Sequence, residues 1–145
     1  MKTIHTDILL IEDNAADREL FLKAVRSSSL SHQIKIVEDG HQALDLLFSS
    51  SAPLIPKLII LDLNLPSMNG LDVLKAIRKN TSTQKIPVVI FTGSNMESDE
   101  ANSWGEGVNS FITKPVNFHE FTECVKEIGL YWLKINEPTT QQKHE

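Results

Sequence analysis

The stretch Lys57-Leu58-Ile59-Ile60-Leu61-Asp62-Leu63-Asn64-Leu65-Pro66 decides the architecture. Four apolar residues, Leu58, Ile59, Ile60 and Leu61, run without alternation and then meet a carboxylate. This is the pattern of a strand buried on both faces whose end emerges at a polar surface. Asp62 is therefore expected at a strand's carboxyl end. Asn64, Pro66, Asn69 and Gly70 turn the chain before Leu71, Val73, Leu74 and Ile77 open a helical pattern.

The same order recurs along the chain. Asp7-Ile8-Leu9-Leu10-Ile11 ends in Glu12-Asp13, Val88-Val89-Ile90-Phe91 ends in Thr92-Gly93-Ser94, and Ser110-Phe111-Ile112-Thr113 ends in Lys114-Pro115. A less apolar strand, about Gln33 to Val37, suits a sheet edge. Between the strands lie helical patterns: Leu20, Phe21, Ala24 and Val25 after a cap at Asn14; Ala43, Leu44, Leu47 and Phe48 after Asp39-Gly40; and the segment from Leu71 to Lys79. Residues 49–56 read as a loop. Residues 96–107 form the weakest helical pattern, with only Met96, Ala101 and Trp104 facing inward. The last helix starts near Phe118, with Phe121, Cys124, Val125, Ile128, Tyr131 and Trp132 on or near one face and a bend or fraying expected at Gly129.

Five strands alternating with five helices predict a three-layer α/β domain of the (βα)5 type, a doubly wound parallel sheet. Parallel strands bring their carboxyl ends to one rim, where ligands of open α/β sheets bind. Glu12, Asp13, Asp62, Thr92 and Lys114 would meet there. Hard carboxylate oxygens suit magnesium, and Asp62, alone on the central strand, is the candidate nucleophile toward phosphorus.

Composition narrows the function classes. At 145 residues, 41% hydrophobic and 23% charged, the chain predicts one globular domain over residues 1–134 with a polar tail over 135–145. A net charge of −5 without a basic run argues against direct nucleic-acid binding. The single cysteine, Cys124, reads as a small core residue and excludes an internal disulfide. No apolar run reaches membrane-spanning length or resembles a signal peptide, so a cytoplasmic protein is expected.

Taken together, Glu12-Asp13, Asp62-Leu63-Asn64-Leu65-Pro66, Gly70, Thr92 and Lys114-Pro115 resemble the receiver domain of two-component response regulators, over nearly the whole chain. The resemblance implies a flavodoxin-like fold with strand order 2-1-3-4-5 and a phosphoacceptor switch rather than an enzyme. In that reading Asp62 receives a phosphoryl group from a sensor histidine kinase, and Glu12, Asp13, Asp62 and the backbone carbonyl of Asn64 hold Mg2+. Lys114 pairs with the phosphoryl group, Thr92 and Phe111 are the switch pair, and Asn64 and Ser94 flank the path of hydrolytic water. The resemblance also implies a cis Lys114-Pro115 bond. Residues 130–133 and the 49–56 loop resemble the stand-alone regulators of bacterial phytochrome kinases, which points to a phytochrome partner and a homodimer through the last helix.

Three other readings compete. A haloacid-dehalogenase-type phosphatase wants a second aspartate two residues after the first, where Asn64 stands. A flavodoxin-like electron carrier wants a hydroxyl- and glycine-rich loop after the first strand, where Glu12-Asp13-Asn14 stands. A pseudo-receiver that binds partners without phosphate would not need the acidic set.

Overall fold

A computed structural model describes residues 2–27, 32–92, 110–113 and 117–135. Strand β1 (Ile4–Ile11) is followed by helix α1 (Ala15–Ser27), β2 (Ile34–Val37), α2 (Gly40–Leu47) and β3 (Leu54–Asp62). Then come α3 (Gly70–Lys79), β4 (Val88–Thr92), β5 (Ser110–Thr113), α4 (Phe118–Gly129) and a π-helical turn (Leu130–Ile135). The five strands form one parallel sheet in the order β2-β1-β3-β4-β5, as expected. The expected helix over 96–107 and the tail from residue 136 lie outside the described residues.

The uninterrupted apolar runs are explained by a helix layer on each face. Leu9, Ile11, Ile59, Leu61 and Ile90 pack with α2 and α3, through Ala43, Leu47, Val73, Leu74 and Ile77. Ile8, Leu10, Leu58, Ile60, Val89 and Phe91 pack with α1 and α4, through Phe21, Ala24, Val25, Phe121 and Val125. Phe91 lies between Phe21 and Phe121, with ring centroids 6.1 Å and 5.6 Å away, so the residue before Thr92 is held from both sides. Cys124 is half-buried against this second cluster, matching the small-core reading. Burial, and then the neighbouring Glu127 charge, raise its thiol pKa, which keeps it protonated at neutral pH.

Helix starts follow their caps. Asn14 Oδ1 accepts from the Asp17 N–H (2.9 Å), Asp39 Oδ1 from Gln42 (2.8 Å), Asn69 Oδ1 from Leu71 (2.8 Å) and Asn117 Oδ1 from Glu120 (3.0 Å). Each such bond stabilises its helix by about 1 kcal/mol.

Three local expectations are corrected. β1 begins at Ile4 rather than Asp7, and β3 at Leu54, inside the expected 49–56 loop, because Ile4, His5 and Thr6 pair with Leu54, Ile55 and Pro56. Pro56 is tolerated there because β4 joins β3 only from Ile59 onward, so the side where a proline lacks its N–H faces no strand. At the other end the break expected at Gly129 is present, with α-helical geometry stopping there and the turn widening, but Tyr131 does not share the apolar face expected for it. Leu133 is buried at 4% exposure, whereas Tyr131 points outward at 49%.

Candidate functional site

The site is built at the carboxyl ends of β1 and β3, adjacent strands of the sheet whose last residues are buried. Ile11 pairs with Leu61, and the next residue on each strand is an acid. The Glu12 N–H still donates to Val37 O (3.1 Å), so Glu12 continues the edge of β1 beyond its last residue. Glu12 and Asp62 are 0% and 2% exposed, while Asp13 faces solvent. One carboxylate oxygen from each of the three lies within 4.8 Å of the others.

Local bonds set these carboxylates. The Asn14 N–H donates to Glu12 Oε2 (3.2 Å), so Asn14 both orients Glu12 and caps α1. The Asn64 N–H donates to Asp62 Oδ1 (3.1 Å), which fixes one acceptor oxygen. Beneath this turn the Gly70 N–H donates to Leu63 O (3.1 Å). A Cβ on Gly70 would stand 2.5 Å from Asp62 O, so helix α3 presses against the backbone that carries Asp62. Ser67, in the same loop, adopts φ 57° and spans a tight turn in which the Met68 N–H donates to Pro66 O (2.6 Å). For a non-glycine residue that geometry costs about 1 kcal/mol, held in place by the surrounding loop.

Two ionised carboxylates at 4.8 Å repel by about 3 kcal/mol at an effective dielectric near 20. The donor set is all hard oxygen, two members are buried and one is open to water, a combination suited to a divalent cation that keeps several water ligands.

The remaining expected residues are placed less fully. Thr92 is the last residue of β4, one position after Phe91, which pairs with Asp62; its backbone therefore ends beside the acidic group. Phe111 lies in β5 and pairs with Ile90. Ser94, Lys114 and Pro115, with the expected cis bond, lie outside the described residues.

Arg18 was not expected at the site. Its Nη1 donates to the backbone carbonyls of Glu12 (3.2 Å) and Asp13 (2.9 Å), and its Nη2 stands 3.9 Å from Glu38 Oε2. The available signal was an arginine in the first turns of the helix that follows an acidic pair. That signal is faint, because such an arginine is usually an exposed helix residue.

The sequence profile of the response regulator receiver domain matches residues 8–126. Response regulator Rcp1 of Synechocystis sp. is 37% identical over 131 residues, covering 88% of this chain and 88% of that protein. The solved bacteriophytochrome response regulator RtBRR superposes with a TM-score of 0.76 at 42% identity, over 93% of this chain and 84% of its own. The phosphorylated cyanobacterial phytochrome response regulator RcpA superposes with a TM-score of 0.77 at 36% identity, over 92% and 97%. Rcp1 has also been solved with Mn2+ bound.

Proposed function

Because this chain belongs to the response regulator receiver family, whose members are signalling switches acted on by histidine kinases, we propose that Asp62 is its phosphoryl acceptor and that the cation it uses is Mg2+. The observation that carries this is the meeting of Glu12, Asp13 and Asp62 oxygens within 4.8 Å at the ends of adjacent strands. Glu12, Asp13, Asp62 and the Asn64 carbonyl would hold the ion, whose charge lowers the barrier to bringing an anionic phosphoryl group up to a carboxylate.

A buried Asp62 with one oxygen fixed by Asn64 presents its carboxylate in a single orientation, which suits in-line approach. An O–P bond forms at Asp62 as the P–N bond to the kinase imidazole breaks, and water later returns the carboxylate. In this reading Lys114 pairs with the phosphoryl oxygens. Thr92 donates a hydrogen bond to one of them, and Phe111 turns inward to follow it, altering the face near β5 and α4. Asn64 and Ser94 flank the water's approach. Incubation of the chain with Mg2+ and acetyl phosphate tests the reading: one phosphoryl group added by intact mass is the expected result, and none would favour a phosphate-independent binding module.

The cation reading has its own check in stability. Mg2+ at about a hundredfold over its Kd is expected to stabilise the fold by about 2.7 kcal/mol. Asp13→Asn is expected to raise the metal-free stability by on the order of 1 kcal/mol, discounted for exposure, and to remove most of the Mg2+ response. Urea unfolding with and without Mg2+ reads both effects. If Mg2+ left the wild-type midpoint unmoved, this assignment would fail.

The likeness to RtBRR and RcpA, response regulators of a bacteriophytochrome and of a cyanobacterial phytochrome, supports a phytochrome-type histidine kinase as the donor. In this proposal the transfer occurs in the cytoplasm, on a single receiver domain over residues 1–134. Among the described residues no helix is long and apolar enough to cross a membrane. The outward Leu130 and Tyr131, 37% and 49% exposed, support a homodimer through the last helix. Sedimentation is expected to give a dimer for the wild type and a monomer for Tyr131→Ser; a wild-type monomer at high concentration would refute it. Direct nucleic-acid contact is not part of the proposal, given the net charge of −5.

A further inference from the structure

We infer that Arg18 is a positioning residue for the divalent-cation site, holding the backbone of Glu12 and Asp13 so that their carboxylates converge with Asp62. The inference rests on reading that acidic group as a cation site. Three carboxylates drawn together repel, and a loop carrying two of them opens unless its backbone is restrained. Arg18 supplies the restraint twice. Its main-chain N–H donates to Asn14 O (3.0 Å), closing the first turn of α1. Its Nη1 reaches back over the same loop to the two carbonyls at 3.2 Å and 2.9 Å.

The guanidinium is itself aimed from a second side. Glu38, 3.9 Å from Nη2, sits in the β2–α2 turn. That turn is held by the Glu38 N–H donating to Gln42 Oε1 (2.9 Å) and by the Asp39 cap on Gln42 (2.8 Å). With its side chain only 21% exposed, Arg18 thus ties the acidic loop to a neighbouring rigid turn. A planar fork suits this geometry; a lysine ammonium carries the charge without the fork.

Positioning and bare charge make opposite predictions. If Arg18 acted only as a cation near an anionic cluster, its removal would tighten divalent binding. If it positions the ligands, removal weakens binding, as loss of a ligand-orienting partner does by 10- to 100-fold. The test is Mn2+ titration followed by electron paramagnetic resonance of the free ion, with Mg2+ competition, at a temperature where each variant is folded. Arg18→Ala is expected to weaken both ions about tenfold, with Arg18→Lys between it and wild type. Val25→Ala, which loosens the buried face of α1 away from the loop, is expected to lower the unfolding midpoint while leaving ion affinity within about twofold. Unchanged affinity in Arg18→Ala overturns the inference, and so does tighter binding with Arg18→Lys at the wild-type value. Should Arg18→Ala not fold, Arg18→Lys alone decides: weakened binding supports positioning, and wild-type affinity refutes it. Failure of the wild type to bind either ion overturns the cation reading and the inference together.

Discussion

Asp62→Asn is expected to gain no phosphoryl group from acetyl phosphate and Mg2+ under conditions that phosphorylate most of the wild type, a loss of at least about a hundredfold. An amide oxygen is a far weaker nucleophile than a carboxylate, and the replacement also removes one oxygen ligand from the acidic group. Neither neighbour substitutes well. Glu12 is fully buried and bonded from the Asn14 N–H, and Asp13 lies on a loop facing solvent rather than at the end of the central strand. The variant should fold as well as wild type or better without metal, because one member of a repelling set becomes neutral. Intact mass with circular dichroism separates the two effects. Phosphorylation of Asp62→Asn at the wild-type level would place the acceptor elsewhere.

Gly70→Ala is expected to cost about 1–3 kcal/mol of stability and to reduce phosphorylation as well. The added Cβ would stand 2.5 Å from Asp62 O and 2.7 Å from Leu63 Cα. Those are backbone atoms, which cannot rotate aside as a side chain does. Relief requires α3 to back away from the strand end or the Asp62–Leu63 backbone to shift, and either change moves the acceptor relative to Glu12. Gly40→Ala is the comparison. Its Cβ would meet Val73 Cγ2 at 2.6 Å and Met68 Sδ at 3.0 Å, side-chain atoms rather than the backbone that carries Asp62. Comparable destabilisation in the two variants, with phosphorylation lost only in Gly70→Ala, would tie the glycine to the site. Phosphorylation retained in Gly70→Ala would show that the turn absorbs the methyl elsewhere.

Strand identity was legible because Leu58, Ile59, Ile60 and Leu61 face two helix layers and must be apolar on both sides. The cap at Asn14 was legible for a local reason, a short polar side chain placed three residues before an unpaired N–H, whereas the same role of Asp39, Asn69 and Asn117 came only from the structure. Strand starts were not. Whether Leu54, Ile55 and Pro56 extend depends on β1 being alongside and β4 being absent at that height, which no property of residues 49–56 reveals. Tyr131 turns outward because Phe121, Val125, Gly129 and Leu133 carry the buried series at intervals of four through the widened turn, and Tyr131 falls between them; grouping it with the apolar face overlooked that spacing.

The candidate site divides in the same way. The sequence by itself picked out the acidic groups of the candidate site, since a carboxylate directly after a buried apolar run has to emerge where the strand does: Glu12 and Asp13 after Ile11, Asp62 after Leu61. Only the tertiary structure decided that these ends are neighbours, through the pairing of β1 with β3, and that two of the three carboxylates are buried within 4.8 Å of the third. It alone brought Arg18 onto the carbonyls of the acidic loop and α3 against the backbone of Asp62. The physical reason is that capping and the burial of an apolar run follow from neighbouring residue types, whereas the meeting of β1 and β3 joins segments far apart in the chain, and the Arg18 and Gly70 contacts, though local in the chain, form only once their helices dock on the sheet.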